Sequence, residues 1–318
     1  MTRRESRRNW RTNLLAVVRY ELLWNIRKKK LLGVLILAFA LATLTLALPV
    51  ILNNANNRKT EPNPDYVITT GTGIGSFGFF LFALVSAMNS ISGEFESGSI
   101  IPLLTKPISR TTIYLGKIFA AFLTVLGAYT LLIIYLAAGG YAIYGPQNNL
   151  DLLYITLLGS IVSTLVWMSI VLAAGSVSKS SMLAALLGIG VWLGLNIVSG
   201  ILSVFSNQAW IMTYAPGNGA SGTIGTPSPI NQTIMISEGV STGTDSITAN
   251  TIAYVLHPTE NVTFSRIEIV SPTDIRRVAM YSEPLSLVVA RSIAVAAVYI
   301  FVFNFIAWYA LRRAQVAE

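Results

Sequence analysis

Six stretches of this chain run apolar for twenty residues or more with almost no charge, and that repetition restricts the fold more than any other feature. Crossing about 30 Å of hydrocarbon takes roughly 20 helical residues at about 1.5 Å each. The runs are Leu31–Leu52, Thr72–Ile91, Ile118–Tyr144, Leu152–Val177, Met182–Phe205 and Ser292–Leu311. Backbone groups in lipid must be hydrogen-bonded within the chain, so each run is expected as one helix. The fold class expected is an all-α polytopic membrane protein with six transmembrane helices.

Composition agrees, since only 11% of residues are charged, against about 25% in a soluble domain. The formal charge of +8 does not signal nucleic acid. Ten of the 22 Lys and Arg lie in the first 30 residues, and Arg3, Arg4, Arg7, Arg8 and Arg11 lack the interleaved aromatics of a nucleic-acid reader. A basic segment directly before a span is drawn to anionic headgroups, so membrane lipid is the expected partner. With the N-terminus inside, sixteen of the 22 cations fall on the inner side, and Arg58, Lys59, Arg266, Arg276 and Arg277 fall outside. Six spans return the C-terminal pair Arg312 and Arg313 to the inside. The expected location is the plasma membrane with both termini cytoplasmic. No Cys is present, which removes disulfides, thiolate metal sites and thiol catalysis. The first apolar run is too long, and lacks the small-residue pattern, for a cleaved signal.

Residues 1–30 form the basic N-terminus. Within it, Asn13–Lys30 reads as a helix with Leu14, Val18, Leu22 and Ile26 spaced by four, although Val17 and Leu23 fall off that face. Trp10 and Trp24 suit the headgroup zone, so an interfacial helix is expected here. Residues 31–205 hold spans one to five. Residues 206–284 are too long for a turn and are expected as a small extracellular, partly β insertion, with strand-like runs at Ile252–Leu256 and Val262–Val270 and an irregular Gly217–Pro229. Asn231 and Asn261 head N-x-[ST] sequons there and are candidate glycosylation sites. The only His, His257, stands without a second His or any Cys, so no metal site is expected. Residues 285–318 hold the sixth span and the C-terminus. Arg291, just before Ser292, is expected to snorkel to the outer headgroups.

No catalytic residues are expected. The phosphate-binding pattern of a glycine-rich loop followed by Lys and Ser or Thr does not occur. Gly71-Thr-Gly-Ile-Gly-Ser-Phe-Gly78 has no such Lys and reads as a helix-packing surface. Within the spans the polar residues are uncharged: Asn89, Tyr129, Thr130, Ser160, Ser163, Thr164, Asn196, Ser199 and Asn304. Most should hydrogen-bond between helices, and Asn89, Asn196 and Ser199 are candidates for a translocation path. An absence of buried charge argues against a proton- or sodium-coupled carrier.

Between the second and third runs stands Gly93–Lys117, a charged passage in a chain that otherwise avoids charge. Its Glu94, Glu96 and Gly98, then Leu103-Leu104-Thr105-Lys106-Pro107-Ile108-Ser109-Arg110, then Gly116-Lys117, resemble the segment after the second span in permeases of the ABC-2 transporter family. The resemblance covers most of the chain except Ser206–Pro284. It implies a cytoplasmic coupling helix at about 93–112, a separate cytoplasmic ABC ATP-binding subunit holding ATP and Mg, a second permease copy as a homodimer, and export as the direction of transport. A helix over Glu94–Leu104 would present its carboxylates at the N-terminal end, and Pro107 would end it. Docking on the ATPase is therefore expected at Glu94, Phe95, Glu96, Gly98, Ile100, Leu103, Leu104, Lys106, Pro107 and Arg110. The alternative is a membrane scaffold that recruits an extracellular partner through residues 206–284.

Overall fold

The computed structural model describes residues 3–27, 29–71, 75–98, 108–205, 214–216, 234–237, 245–256, 258–259, 261–271 and 274–313. Its helices are α1 (Arg3–Arg27), α2 (Lys30–Ala55), α3 (Tyr66–Thr70), α4 (Gly75–Ala87), α5 (Ser92–Glu96), α6 (Arg110–Tyr144), α7 (Leu153–Ser178), α8 (Ser181–Phe205), α9 (Asp245–Leu256) and α10 (Leu285–Arg313). Among the described residues, six segments are long and apolar enough to cross a membrane: Leu32–Ala55, Gly78–Glu96, Arg110–Tyr144, Leu150–Ser178, Ser181–Val198 and Leu285–Arg313. These agree with the six runs read from sequence, and the protein is an all-α polytopic membrane protein.

α7 is the centre of the bundle. Its most apolar stretch is 78% buried, against 17% for α2 and 11% for α8, so α2 and α8 stand at the periphery. Helices in lipid gain nothing from hiding apolar surface from water, so their association rests on close packing and hydrogen bonds. Both are present around α7. Trp167 is fully buried, with Phe80 of α4 edge-on at 5.6 Å and Trp192 of α8 stacked on Phe80 at 5.3 Å. Tyr129 of α6 hydrogen-bonds Thr164 of α7 at 2.5 Å, and Thr164 in turn donates to Ser160 O. These polar residues therefore serve helix packing, as read from sequence.

α2 contains Pro49, which has no N–H to offer the carbonyl of Thr45 one turn back. A carbonyl left bare in lipid is costly. Tyr66 of α3 reaches it, donating to Thr45 O at 2.5 Å, and Tyr144 of α6 donates to the next carbonyl, Leu46 O, at 2.9 Å. The two tyrosine rings stack at 3.9 Å. Nearby, Asn63 and Gln147 tie the α2–α3 loop to the α6–α7 connection through Asn63 N–H to Tyr144 O and Gln147 Nε2 to Asn63 O. This end of the bundle lies opposite the one that holds α1.

The insertion after α8 contains both strand and helix. β1 (Ile234–Ser237) pairs parallel with β2 (Asn261–Ser271), which pairs antiparallel with β3 (Asp274–Pro284). The strand expected at Val262–Val270 is thus β2. The strand expected at Ile252–Leu256 is a helix instead, the last turns of α9. Its β-branched residues favour strand only weakly, and tertiary packing overrides them: Ile247, Thr248, Asn250, Ile252 and Ala253 are buried at helical spacing where α9 packs on α7 and α10. Ile252 joins Ile68, Leu152 and Ile155 in one apolar cluster. Gly217–Pro229, Asn231 and His257 lie outside the described residues.

Arg291 also departs from expectation. α10 begins at Leu285, so Arg291 lies inside the helix, and its Nη1 is 3.0 Å from Glu283 Oε2 at the end of β3. A mostly buried guanidinium needs a partner more than it needs headgroups, and this pair joins the sheet to the last span.

Candidate functional site

The described part of the charged passage after the second span makes polar contacts with several other elements. α4 stops at Ala87, the backbone turns through residues 88–91, and α5 runs only from Ser92 to Glu96. The helix expected over Glu94–Leu104 is therefore interrupted near its start. Gly98 has φ +68°, a left-handed conformation that ends the helical path and that a side chain would oppose. The carboxylates of α5 are each engaged within the chain, Glu94 partly buried and Glu96 exposed.

Glu94 meets Lys117, which extends from α6 with Nζ 2.6 Å from Glu94 Oε1 and 2.5 Å from Glu21 Oε1 of α1. Lys117 is 4% exposed and Glu21 7% exposed. The bundle thus does bury charge, which the sequence reading did not expect, but just outside the apolar run Ile118–Tyr144. The reason is local: Ile118 begins the apolar run, and Lys117, one residue earlier, lies under α1 rather than in water. An ammonium there is tolerable only because two carboxylates hold it. Gly116 makes the approach possible. A Cβ at that position would fall 2.6 Å from Val17 Cγ1, so only glycine lets α1 lie this close to α6. On α1, Val18 and Glu21 are buried and Leu14, Val17, Leu22 and Asn25 partly buried, so the covered face takes in the expected Leu14, Val18 and Leu22 and extends to Val17, Glu21 and Asn25, while the Ile26 side chain lies outside the described ones. The helix also covers Arg3–Arg27 rather than Asn13–Lys30.

Phe95 packs against the central core cluster, with Lys179 Nζ 5.7 Å from its ring centroid. Lys179 occupies the two-residue turn between α7 and α8, in a left-handed conformation. Glu96 accepts from Ser181 N–H at 2.7 Å and Ser180 Oγ at 3.0 Å, and the Ser181 hydroxyl donates to its other oxygen. It caps the first turn of α8, where free N–H groups and the positive end of the helix favour a carboxylate. Three consecutive residues of α5 therefore grip three places: α1 with α6, the α7–α8 turn, and the start of α8.

Arg110, expected on the docking surface, closes the end of the last helix. Its Nη1 donates to Arg312 O at 2.8 Å and to Leu311 O at 3.4 Å, satisfying carbonyls that the end of α10 leaves open. Ser109 caps α6 by accepting from Thr112 N–H at 3.1 Å. Trp308 Nε1 donates to Thr111 Oγ1 at 3.1 Å, and Tyr114 donates to Asn304 Oδ1 at 2.8 Å. α1, α5, the start of α6, the α7–α8 turn and the end of α10 thus gather at one end of the bundle.

The remaining residues singled out by sequence are scattered. Ile100, Leu103, Leu104, Lys106 and Pro107 lie outside the described residues. Asn89 lies in the turn between α4 and α5. Asn196 donates to Trp192 O of its own helix at 2.8 Å, and Ser199 follows one turn later in α8. Asn261 is exposed at the head of β2. Among the described residues no three His, Asp or Glu side chains group as metal ligands. Sequence reading missed Glu21, Lys179 and Ser181. Only Glu21 left a trace, as an acidic residue three positions after Val18 on the semi-apolar face of an otherwise basic helix.

No curated protein matches the chain significantly. A family model described as ABC-2 family transporter protein matches residues 15–316, from within α1 to beyond α10. The match takes in the ionic cluster, α5 and all six spans, and the chain therefore belongs to the ABC-2 transporter family, as a membrane permease of an ABC transporter.

Proposed function

We propose that this permease is moved by a separate cytoplasmic ATP-binding subunit, which carries ATP and Mg and docks on the passage that begins at α5. The observation that carries this reading is the triple grip of Glu94, Phe95 and Glu96. A force applied to a loose loop would be lost in the loop. Applied to a segment tied to α1, α6 and the α7–α8 turn, it reaches the spans. Glu94 and Phe95 accordingly hold the segment in place, and the docking contacts fall to Gly98, Ile100, Leu103, Leu104, Lys106 and Pro107, with Glu96 at the edge.

In this reading the α1 end of the bundle faces the cytoplasm, both termini lie on the cytoplasmic side of the plasma membrane, and the 206–284 insertion is outside. The distribution of cations supports that orientation, and the family resemblance supports export. Pairing of two copies is supported by α8, whose outer face carries Leu183, Leu187, Gly190, Gly194 and Ile197. Gly190 and Gly194, four residues apart, have open space where a Cβ would lie, the spacing that lets two helices in lipid approach closely.

The test is Leu103→Asp with Leu104→Asp, which leaves the α5 contacts intact. The purified variant should insert and remain monodisperse, but the ATP-binding subunit should no longer co-purify and stimulation of ATP hydrolysis should be lost. Co-purification and stimulation at the wild-type level contradict the docking assignment.

A further inference from the structure

Behind the ionic cluster lies a cavity of about 310 Å³ that neither docking nor helix packing requires. Tyr20, Glu21 and Trp24 of α1 form one wall, Ser86 of α4 and Asn89 the second, and Lys117 of α6 the third. Its volume is at the lower end of small-molecule sites, about 300–1,000 Å³. Its lining is wrong for a void left by poor packing, because empty cavities in proteins are apolar. Ser86 Oγ is buried there with no hydrogen-bond partner among the described residues. The Asn89 amide borders the same space. Tyr20 and Trp24 stack at 6.1 Å and are largely exposed, so they form an aromatic rim rather than a plug.

Depth follows from α6. Lys117 immediately precedes the apolar stretch that ends at Tyr144, so the cavity lies at headgroup level, where α1 lies beside the spans. The chemistry of the walls selects the occupant. Two of the three charged lining groups described are carboxylates, which repel a phosphate or sulfate and attract a cation. Aromatic faces at the mouth add attraction for an ammonium group and a surface for a hydrocarbon tail. An ammonium also supplies the hydrogen-bond donors that Ser86 Oγ and the Asn89 carbonyl can accept.

We propose that this cavity binds an amphiphile with a protonated primary amine headgroup, its ammonium among Glu21, Ser86 and Asn89 and its tail passing Tyr20 and Trp24 into the bilayer. Its walls also hold α5, so occupancy brings the site and the docking passage into one thermodynamic linkage.

The test uses the full chain in detergent without any ATP-binding subunit, so its outcome is independent of the docking assignment. A dodecylammonium probe with a diazirine beside the amine should label the peptides containing residues 20–25 and 85–89 saturably. Unlabelled dodecylammonium should compete and dodecyl sulfate should not. Ser86→Leu and Asn89→Leu, neither of which supplies a group to the Glu21–Lys117–Glu94 ion pairs, should each weaken saturable labelling roughly tenfold, the effect of losing one hydrogen bond to a charged group. Equal labelling by a matched alkyl sulfate probe, or undiminished labelling of both variants while they remain monodisperse, overturns the proposal. Repeating the labelling in nanodiscs identifies the source. Suppression by phosphatidylethanolamine assigns the site to an inner-leaflet aminolipid, and labelling that persists assigns it to a soluble amphiphilic amine.

Discussion

At the residue scale, single buried polar groups decide the local geometry, and their removal should cost more than their number implies. Lys117 is the clearest case. Lys117→Met leaves Glu21 and Glu94 facing each other with no cation, and breaking a buried ionic cluster in this way costs about 3–5 kcal/mol. Adding Glu21→Gln and Glu94→Gln to Lys117→Met should recover most of that loss, because the uncompensated charges are gone. Thermal unfolding of the purified chain in detergent checks both; no recovery in the triple variant would mean that shape rather than charge holds α1 in place. Tyr66 offers a second case. Tyr66→Phe leaves Thr45 O without the donor that Pro49 cannot supply, a loss of about 1–3 kcal/mol. In a Pro49→Ala background the restored amide should serve Thr45 O, and the same Tyr66→Phe change should then lose much less stability. An equal loss in both backgrounds contradicts this account of the tyrosine.

At the scale of elements, the arrangement depends on α1 lying against α6 across Gly116. Gly116→Val sets side-chain atoms against Val17, and overpacking of this kind costs about 1–3 kcal/mol. α1 should lift, and limited trypsin digestion at Arg11 and Arg19 should speed up, with Val17→Ala partly restoring protection. Unaltered digestion would show that α1 reaches its place without that contact. What was legible in sequence also sorts by element. The six spans were readable because apolar length alone specifies a helix in lipid, and β2 because nothing outweighed its β-branched run. α9 was misread because its helix depends on burial against α7 and α10, which are distant in sequence. The α5 passage was recognisable as a motif, but its carboxylates seemed to face a partner because Lys117, Ser180 and Ser181 are 21 or more residues away from them. Only folding brings these groups together.

At the scale of the whole molecule, one end of the bundle gathers α1, the start of α6, the turn between α7 and α8 and the end of α10, with α5 tied to the first three and Arg110 of α6 to the last. The opposite end is closed by Tyr66 of α3 and Tyr144 of α6 against α2 and by α9 packed on α7 and α10. A body built this way can carry a displacement from the α5 passage to α1, α6 and the α7–α8 turn. The chain has no Cys, so a single cysteine can be placed without altering any other site. Ser97 is exposed directly after α5, and Arg58 is exposed at the opposite end. With a short thiol-reactive photocrosslinker on Ser97→Cys, the assembled complex should yield a covalent adduct between this chain and its ATP-binding subunit, and the same reagent on Arg58→Cys should yield none. An adduct from Arg58→Cys with none from Ser97→Cys would contradict the account.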